Sequence, residues 1–111
     1  MEKEPITGNP GQVLTELAKW ISAIINDNSV KEFYIGRTVD LNKRQSDHGC
    51  DKIKPIYKTD STNNAIIVEN NLIKKFYVNS KCSNESEHGG GGISEEYVSY
   101  VYVAIWYGSV K

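Results

Sequence analysis

Apolar residues recur along this chain with two different periods, which divide it into helices and strands. From Val13 to about Asn26 they recur at intervals of three and four residues, which predicts an amphipathic helix. The same interval follows a capping Ser61 and predicts a second such helix as far as Val78. Between them, Val30 to Gly36 alternates as a short strand does. The pattern therefore predicts an α+β fold.

Two shorter elements lie between these segments. Thr38 or Asp40 can cap a helix that runs to about Asp47, because either side chain can accept from free amides of a first turn. Ile56 to Thr59 follows a proline and predicts a second short strand. Asn79 to Ser94 is expected to be a loop, and its glycine run could approach a phosphate or simply connect two elements.

A further strand is predicted near the C-terminus, from about Val98 to Trp106. The segment is rich in aromatic and β-branched residues, which favour strands. It alternates, so that one predicted face carries Val101, Val103 and Ile105 and the other carries Tyr100, Tyr102 and Trp106. We expect the aliphatic face to pack on the core.

Composition favours one small intracellular domain. A chain of 111 residues seldom divides into two cores. Two cysteines are too few for a disulfide scaffold, and we find neither a signal-like segment nor an apolar run long enough for a membrane span. The net charge is −1, but residues 31–81 carry ten basic and six acidic groups. This middle part is where a weak, salt-sensitive contact with DNA is expected.

Glu69 lies within the apolar stripe of the second amphipathic helix. Ala65 lies four residues before it and Leu72 three residues after it, and residues at those offsets share one helix face. A buried carboxylate is costly unless a partner neutralises it. The partner could be a divalent metal or a lysine such as Lys43 or Lys74, and we take Glu69 as a metal ligand.

Arg44 and His48 are four residues apart and share a face of the short predicted helix. A guanidinium can grip two phosphate oxygens, and an imidazole can orient or deprotonate water near neutral pH. The simpler interpretation is a solvated helix face. Tyr34 could likewise be an ordinary half-buried strand aromatic.

Taken together and in order, these residues resemble the GIY-YIG nucleases, which include homing endonucleases, some restriction enzymes and repair incision enzymes. The matched elements span Phe33 to Asn84: the YIG tripeptide with Arg37-Thr38 after it, Arg44, His48, the pattern A-x-x-x-E-x-x-L-I-x-x-F from Ala65 to Phe76, and an asparagine at Asn84. The resemblance implies a metal-dependent DNA endonuclease using Mg²⁺ or Mn²⁺. It also implies a small antiparallel sheet of about three strands flanked by helices.

The resemblance departs from the family at its first strand. The family has a tyrosine about ten residues before that of YIG, whereas Ser22 to Phe33 contains none. We infer a rearranged strand order, in which the C-terminal strand lies antiparallel beside Phe33–Gly36 and supplies Tyr100 or Tyr102 as the replacement. By resemblance, this tyrosine and Tyr34 line the site, and the replacement takes the position of the family's proposed general base.

The remaining expectations follow from the resemblance. The chain is one domain, with residues 1–29 as a helical extension, 30–80 as the YIG strand with the arginine and glutamate helices, and 81–111 as the glycine-rich loop and last strand. The expected DNA-facing residues are Arg37, Lys43, Lys52, Lys54 and Asn84, and Asn79 competes for the last role. Specificity would need a partner protein, a homodimer or a particular DNA shape, and a stand-alone nuclease of this size suits a virus or mobile element. The alternatives are a degenerate member that binds DNA or inhibits another protein, and a small interaction protein that resembles the family by chance.

Overall fold

A computed structural model describes residues 4–84 and 98–108. Within them the chain forms helices and strands in alternation, which confirms the predicted α+β class. The elements are α1 (Pro10–Ile25), β1 (Val30–Thr38), α2 (Leu41–His48), β2 (Lys52–Thr59), α3 (Thr62–Phe76) and β3 (Ser99–Tyr107). The glycine run at residues 89–92, which was expected to lie in a loop, is outside the described residues.

Polar side chains fix where the helices begin. The Asn9 side chain accepts from the backbone N–H of Gly11, and Pro10 occupies the first helical position of α1. Asp40 caps α2, and Ser61 caps α3 through the N–H of Asn64 at 3.2 Å. The Ser61 cap is therefore confirmed, and of the two candidates for α2 it is Asp40 that caps the helix.

The three strands form one antiparallel sheet in the order β1-β3-β2. The strand that comes last in the chain is therefore the central one, and it pairs with both neighbours. Tyr34 lies opposite Ala104 and Gly36 opposite Tyr102. This register confirms the predicted antiparallel pairing of the C-terminal strand with Phe33–Gly36.

The two faces of the sheet are covered by different helices. Phe33, Ile35, Val101, Val103 and Ile105 point to one face, where they are buried in the core formed with α1 and α3. Residues on the opposite face alternate with these and lie next to α2. The aliphatic and aromatic faces of β3 are thus as predicted, and α1 packs on the sheet.

Backbone segments outside the strands pair with both edges of the sheet. Phe33 on β1 donates to Lys81 O and accepts from Ser83 N, at 2.9 and 2.8 Å. On β2, Ile6 N donates to Ile56 O and Ile6 O accepts from Lys58 N, each at 2.9 Å. These contacts satisfy edge groups that would otherwise be free to pair with another chain.

The second strand is longer than its sequence predicts. It begins at Lys52, four residues before the predicted start, because Ile105 of β3 provides a pairing partner there. Pro55 lies within it, which is tolerated because β2 is an edge strand, and the register shifts immediately after this proline.

Candidate active site

The face of the sheet beneath α2 carries a cluster of aromatic rings. The ring of His48, at the end of α2, lies 4.7 Å from that of Tyr34 and 5.8 Å from that of Tyr102, measured between centroids. The ring of Trp106 packs edge-on against that of His48, with centroids 6.0 Å apart. Three of the predicted catalytic residues are therefore brought together, and Trp106 joins them without having been predicted.

His48 and Tyr102 are joined by a hydrogen bond of 2.8 Å between Nε2 and the phenol oxygen. Burial and the charge of Arg44 lower the pKa of His48, so the neutral imidazole is favoured, although Asp47 opposes this shift. Burial is the main cause of a strong rise in the pKa of Tyr102, which keeps its hydroxyl protonated. In the tautomer whose Nε2 carries no proton, Tyr102 is the donor and His48 the acceptor.

The glycine of the YIG tripeptide makes room for this arrangement. A Cβ built on Gly36 would lie 2.6 Å from the Tyr102 oxygen and 2.9 Å from Cε1 of Tyr34. Real Cβ atoms essentially never approach so closely. Only a residue without a Cβ fits below the rings of Tyr34 and Tyr102, so these two tyrosines require glycine at position 36.

Glu69 on α3 and Arg37 on β1 form a second polar group. Arg37 Nε donates to Glu69 Oε1 at 3.1 Å, and the two side chains are 13% and 4% exposed. Burial raises the pKa of Glu69 to about 7, although the charge and hydrogen bond of Arg37 act to lower it. Glu69 is therefore an ion-paired carboxylate whose burial is only partly compensated.

This position of Arg37 differs from the predicted DNA-facing one. Arg37 pairs with Val101, a core residue, so its side chain extends to the core face of the sheet. The partner expected for Glu69 was a metal or one of two lysines, and the observed partner was missed. Strand alternation indicated this orientation, because Arg37 is in phase with Phe33 and Ile35. A cation on the core face needs an acidic partner.

Burial and the charge of Tyr34 raise the pKa of Tyr102. The charge of Arg44 opposes this rise, whereas that of Glu69 adds to it. Tyr100 lies at the Thr38 position of the register, and no ring contact joins it to the aromatic cluster in the described part of the chain. Of the two tyrosines considered in the sequence, Tyr102 is the one that lies in the aromatic cluster.

The basic residues of α2 are exposed and paired weakly with an acid on their own helix. The nitrogens of Lys43 and Arg44 each lie 3.7 Å from Asp47 Oδ2. Such exposed pairs contribute at most about 1 kcal/mol, so a phosphate can compete for either cation. Both cations are thus accessible, and the charge of Arg44 acts on His48 in the aromatic cluster.

Lys52 and Lys54 are oriented away from that cluster. They lie opposite Ile105 and Val103 in the register, which places them on the face covered by α1 and α3. Lys54 Nζ lies 5.8 Å from the ring centroid of Trp20 on α1. The expectation of one DNA-facing surface shared by these lysines and α2 does not fit this geometry, because alternation along β2 directs them to the opposite face.

Asn84 has a structural role instead of the predicted contact with DNA. Its Oδ1 accepts from Ile35 N and its Nδ2 donates to Ile35 O, both at 2.9 Å. The side-chain amide therefore replaces a neighbouring strand at the edge of β1, one residue before Gly36. The competing Asn79 accepts from Lys81 N within its own turn, at 2.9 Å.

Among residues 4–84 and 98–108, no three histidine, cysteine or acidic side chains are grouped so as to hold a metal ion. No described helix is long and apolar enough to cross a membrane. Comparisons with protein-family models, with curated proteins and with solved structures give no match to this chain.

Proposed function

We propose that this protein is a metal-dependent DNA endonuclease of the GIY-YIG type. The observation that carries the proposal is the position of Tyr102, which lies over Gly36 beside Tyr34 and bonds to His48. In this proposal, Tyr102 from the central strand replaces the tyrosine that the family carries in its first strand.

His48 is better suited than Tyr102 to act as general base. A phenol with a raised pKa gives up its proton poorly, whereas a neutral imidazole accepts one near neutral pH. In the proposed reaction, His48 carries its proton on Nε2 and donates it to the Tyr102 oxygen, which orients the ring and leaves Nδ1 free. Nδ1 takes a proton from water as the water oxygen bonds to phosphorus, the bond to the sugar oxygen breaks, and that oxygen takes a proton from solvent water. Arg44 neutralises charge on the phosphoryl oxygens.

Glu69 is the proposed ligand for Mg²⁺ or Mn²⁺. A single carboxylate suits Mg²⁺, which keeps much of its water shell and also binds substrate phosphate. The pKa of about 7 supports the assignment, because it means that Arg37 does not fully offset the cost of burying the carboxylate. A second positive charge beside Glu69 is therefore favourable. When bound, the ion would polarise the phosphate and lower the pKa of a bound water.

A supercoiled-plasmid assay with Mg²⁺ or Mn²⁺ tests this function. Glu69→Gln should abolish nicking. Arg44→Lys should impair it severely, because lysine keeps the charge but lacks the planar guanidinium that binds two phosphate oxygens. Glu4→Gln is the matched control, since Glu4 is exposed and remote from the cluster in sequence. Undiminished nicking by folded Glu69→Gln at equal metal concentration would refute the assignment.

The ion pair between Arg37 and Glu69 also favours a second candidate, a DNA-binding protein that no longer cuts. In that case the guanidinium occupies the carboxylate permanently. The same plasmid would then be bound but never nicked. Lys43→Gln should flatten the log-log dependence of binding on salt by roughly one unit if that lysine contacts a phosphate.

A further inference from the structure

A long groove runs between α1 and α3 on the outer surface of the fold. Its volume is about 870 Å³, and its floor includes Leu14, Ala18 and Leu72. Leu72 belongs to the buried core and is only 1% exposed, whereas Leu14 and Ala18 pack against that core and remain partly accessible. Leu14 and Ala18 thus provide the apolar surface that a ligand in the groove could contact.

The rim of the groove carries only positive charge among the described residues. Lys19 on α1 and Lys74 and Lys75 on α3 line it and are exposed, and no acidic side chain lines it. Three ammonium groups beside an apolar floor create a surface that favours a ligand with both apolar and acidic groups.

None of the residues that line the groove belongs to the candidate active site. The aromatic cluster lies on the opposite face of the sheet, next to α2. A ligand in the groove would therefore leave Tyr34, His48 and Tyr102 accessible. The groove needs an explanation that the proposed nuclease function does not provide.

We propose that the groove between α1 and α3 binds an acidic amphipathic helix from a partner protein. An apolar stripe on such a helix would lie over Leu14, Ala18 and Leu72, as in other helix-in-groove complexes. Glutamates or aspartates beside the stripe would meet the three lysines. A nucleic acid backbone satisfies the lysines but leaves the apolar floor without a complementary surface, so the charge and the floor together favour a helix.

The probe is a fluorescent, hydrocarbon-stapled peptide of 15 residues, the length of α3, with a leucine stripe flanked by glutamates. Stapling is needed because isolated helices of this length are marginal in water. Fluorescence anisotropy with the full chain should give a Kd on the order of micromolar. A peptide with lysine for each glutamate, and one with serine for each leucine, should bind at least about tenfold more weakly.

Two double variants make the test specific. Lys74→Glu with Lys75→Glu should weaken binding of the acidic peptide at least about tenfold and improve binding of its charge-reversed form. Lys31→Glu with Lys58→Glu changes two exposed lysines on β1 and β2 and should leave both affinities unchanged. Circular dichroism establishes that each variant is folded, and peptide-induced amide shifts should be confined to α1 and α3.

Several results would overturn the proposal. They are equal binding of the acidic and charge-reversed peptides, absence of binding by the acidic peptide, or amide shifts centred on another face. A dimer of this chain, or a complex with duplex DNA, that is lost in the Lys74 and Lys75 variant would assign the groove to that occupant instead. Plasmid nicking is measured separately, so failure of either proposal leaves the other standing.

Discussion

Replacing Glu69 with glutamine should change how the stability of this protein depends on pH. Burial raises the pKa of this carboxyl from its ordinary 4.5 to about 7 in the folded state. Between those values the folded protein binds a proton that the unfolded chain has lost. Stability therefore falls as pH rises through this window, because protons are bound more tightly by the folded state.

The size of the effect follows from the two pKa values. Each unit of difference corresponds to about 1.4 kcal/mol, so the folded protein should lose about 3 kcal/mol between pH 4.5 and pH 8 through this group alone. Glutamine has no proton to lose and can still accept the hydrogen bond from Arg37 Nε. The free energy of unfolding of the variant should therefore not fall through this group, and it should increase relative to that of the native protein as pH rises.

Urea denaturation at half-unit steps from pH 5 to pH 8 measures the difference. The free energy of unfolding of Glu69→Gln, minus that of the native protein, should grow by about 2.5 kcal/mol over the range. Glu4→Gln serves as the control, because water solvates this exposed side chain in both states. Parallel profiles for native protein and Glu69→Gln would refute the reasoning. A difference of opposite slope would mean that attraction to Arg37 outweighs burial.

Two further substitutions test how the site is supported. Gly36→Ala should destabilise the fold by about 1–3 kcal/mol, because the new methyl group would overlap the buried Tyr102 ring, whereas Gly11→Ala meets only ordinary contacts. Equal urea midpoints for these two variants would contradict the overlap. Asn84→Ala should cost about 1–3 kcal/mol through the loss of both bonds to Ile35, and Asn84→Asp should not restore stability, because its second carboxylate oxygen would face the Ile35 carbonyl oxygen in place of a donor. Unchanged hydrogen exchange at the Ile35 amide in Asn84→Ala would contradict that role.

The features predicted correctly from sequence are those set by residues close together in the chain. The helices follow from periodicity and caps such as Ser61, whose partner lies three residues away. The pairing of β3 with β1 is long-range, yet it was predictable because the motif lacked a strand and the C-terminal segment was the remaining strong strand. Its face was then fixed by alternation, which placed Tyr102 beside Tyr34.

Features that depend on distant partners were missed. Arg37 and Glu69 are 32 positions apart, and Asn84 is 49 positions from Ile35. The phase of Arg37 in its strand indicated a cation on the core face but not which acid it meets, and the spacing that suggested a DNA contact for Asn84 is equally satisfied by a side chain that completes an edge. The early start of β2 was missed for the same reason, because the residues before Ile56 show no strand pattern of their own and pair with β3.

The central position of β3 determines when the protein can fold as it is made. A ribosome produces β1 and β2 first, and in the sheet each of them pairs with β3 but not with the other. In a nascent chain that has reached residue 84, β1 and β2 are therefore both present without the strand that pairs with them. Because Tyr102 belongs to that strand, the centre of the sheet and the tyrosine beside His48 arrive together. Pairing of the sheet and completion of the aromatic cluster therefore depend on the same strand.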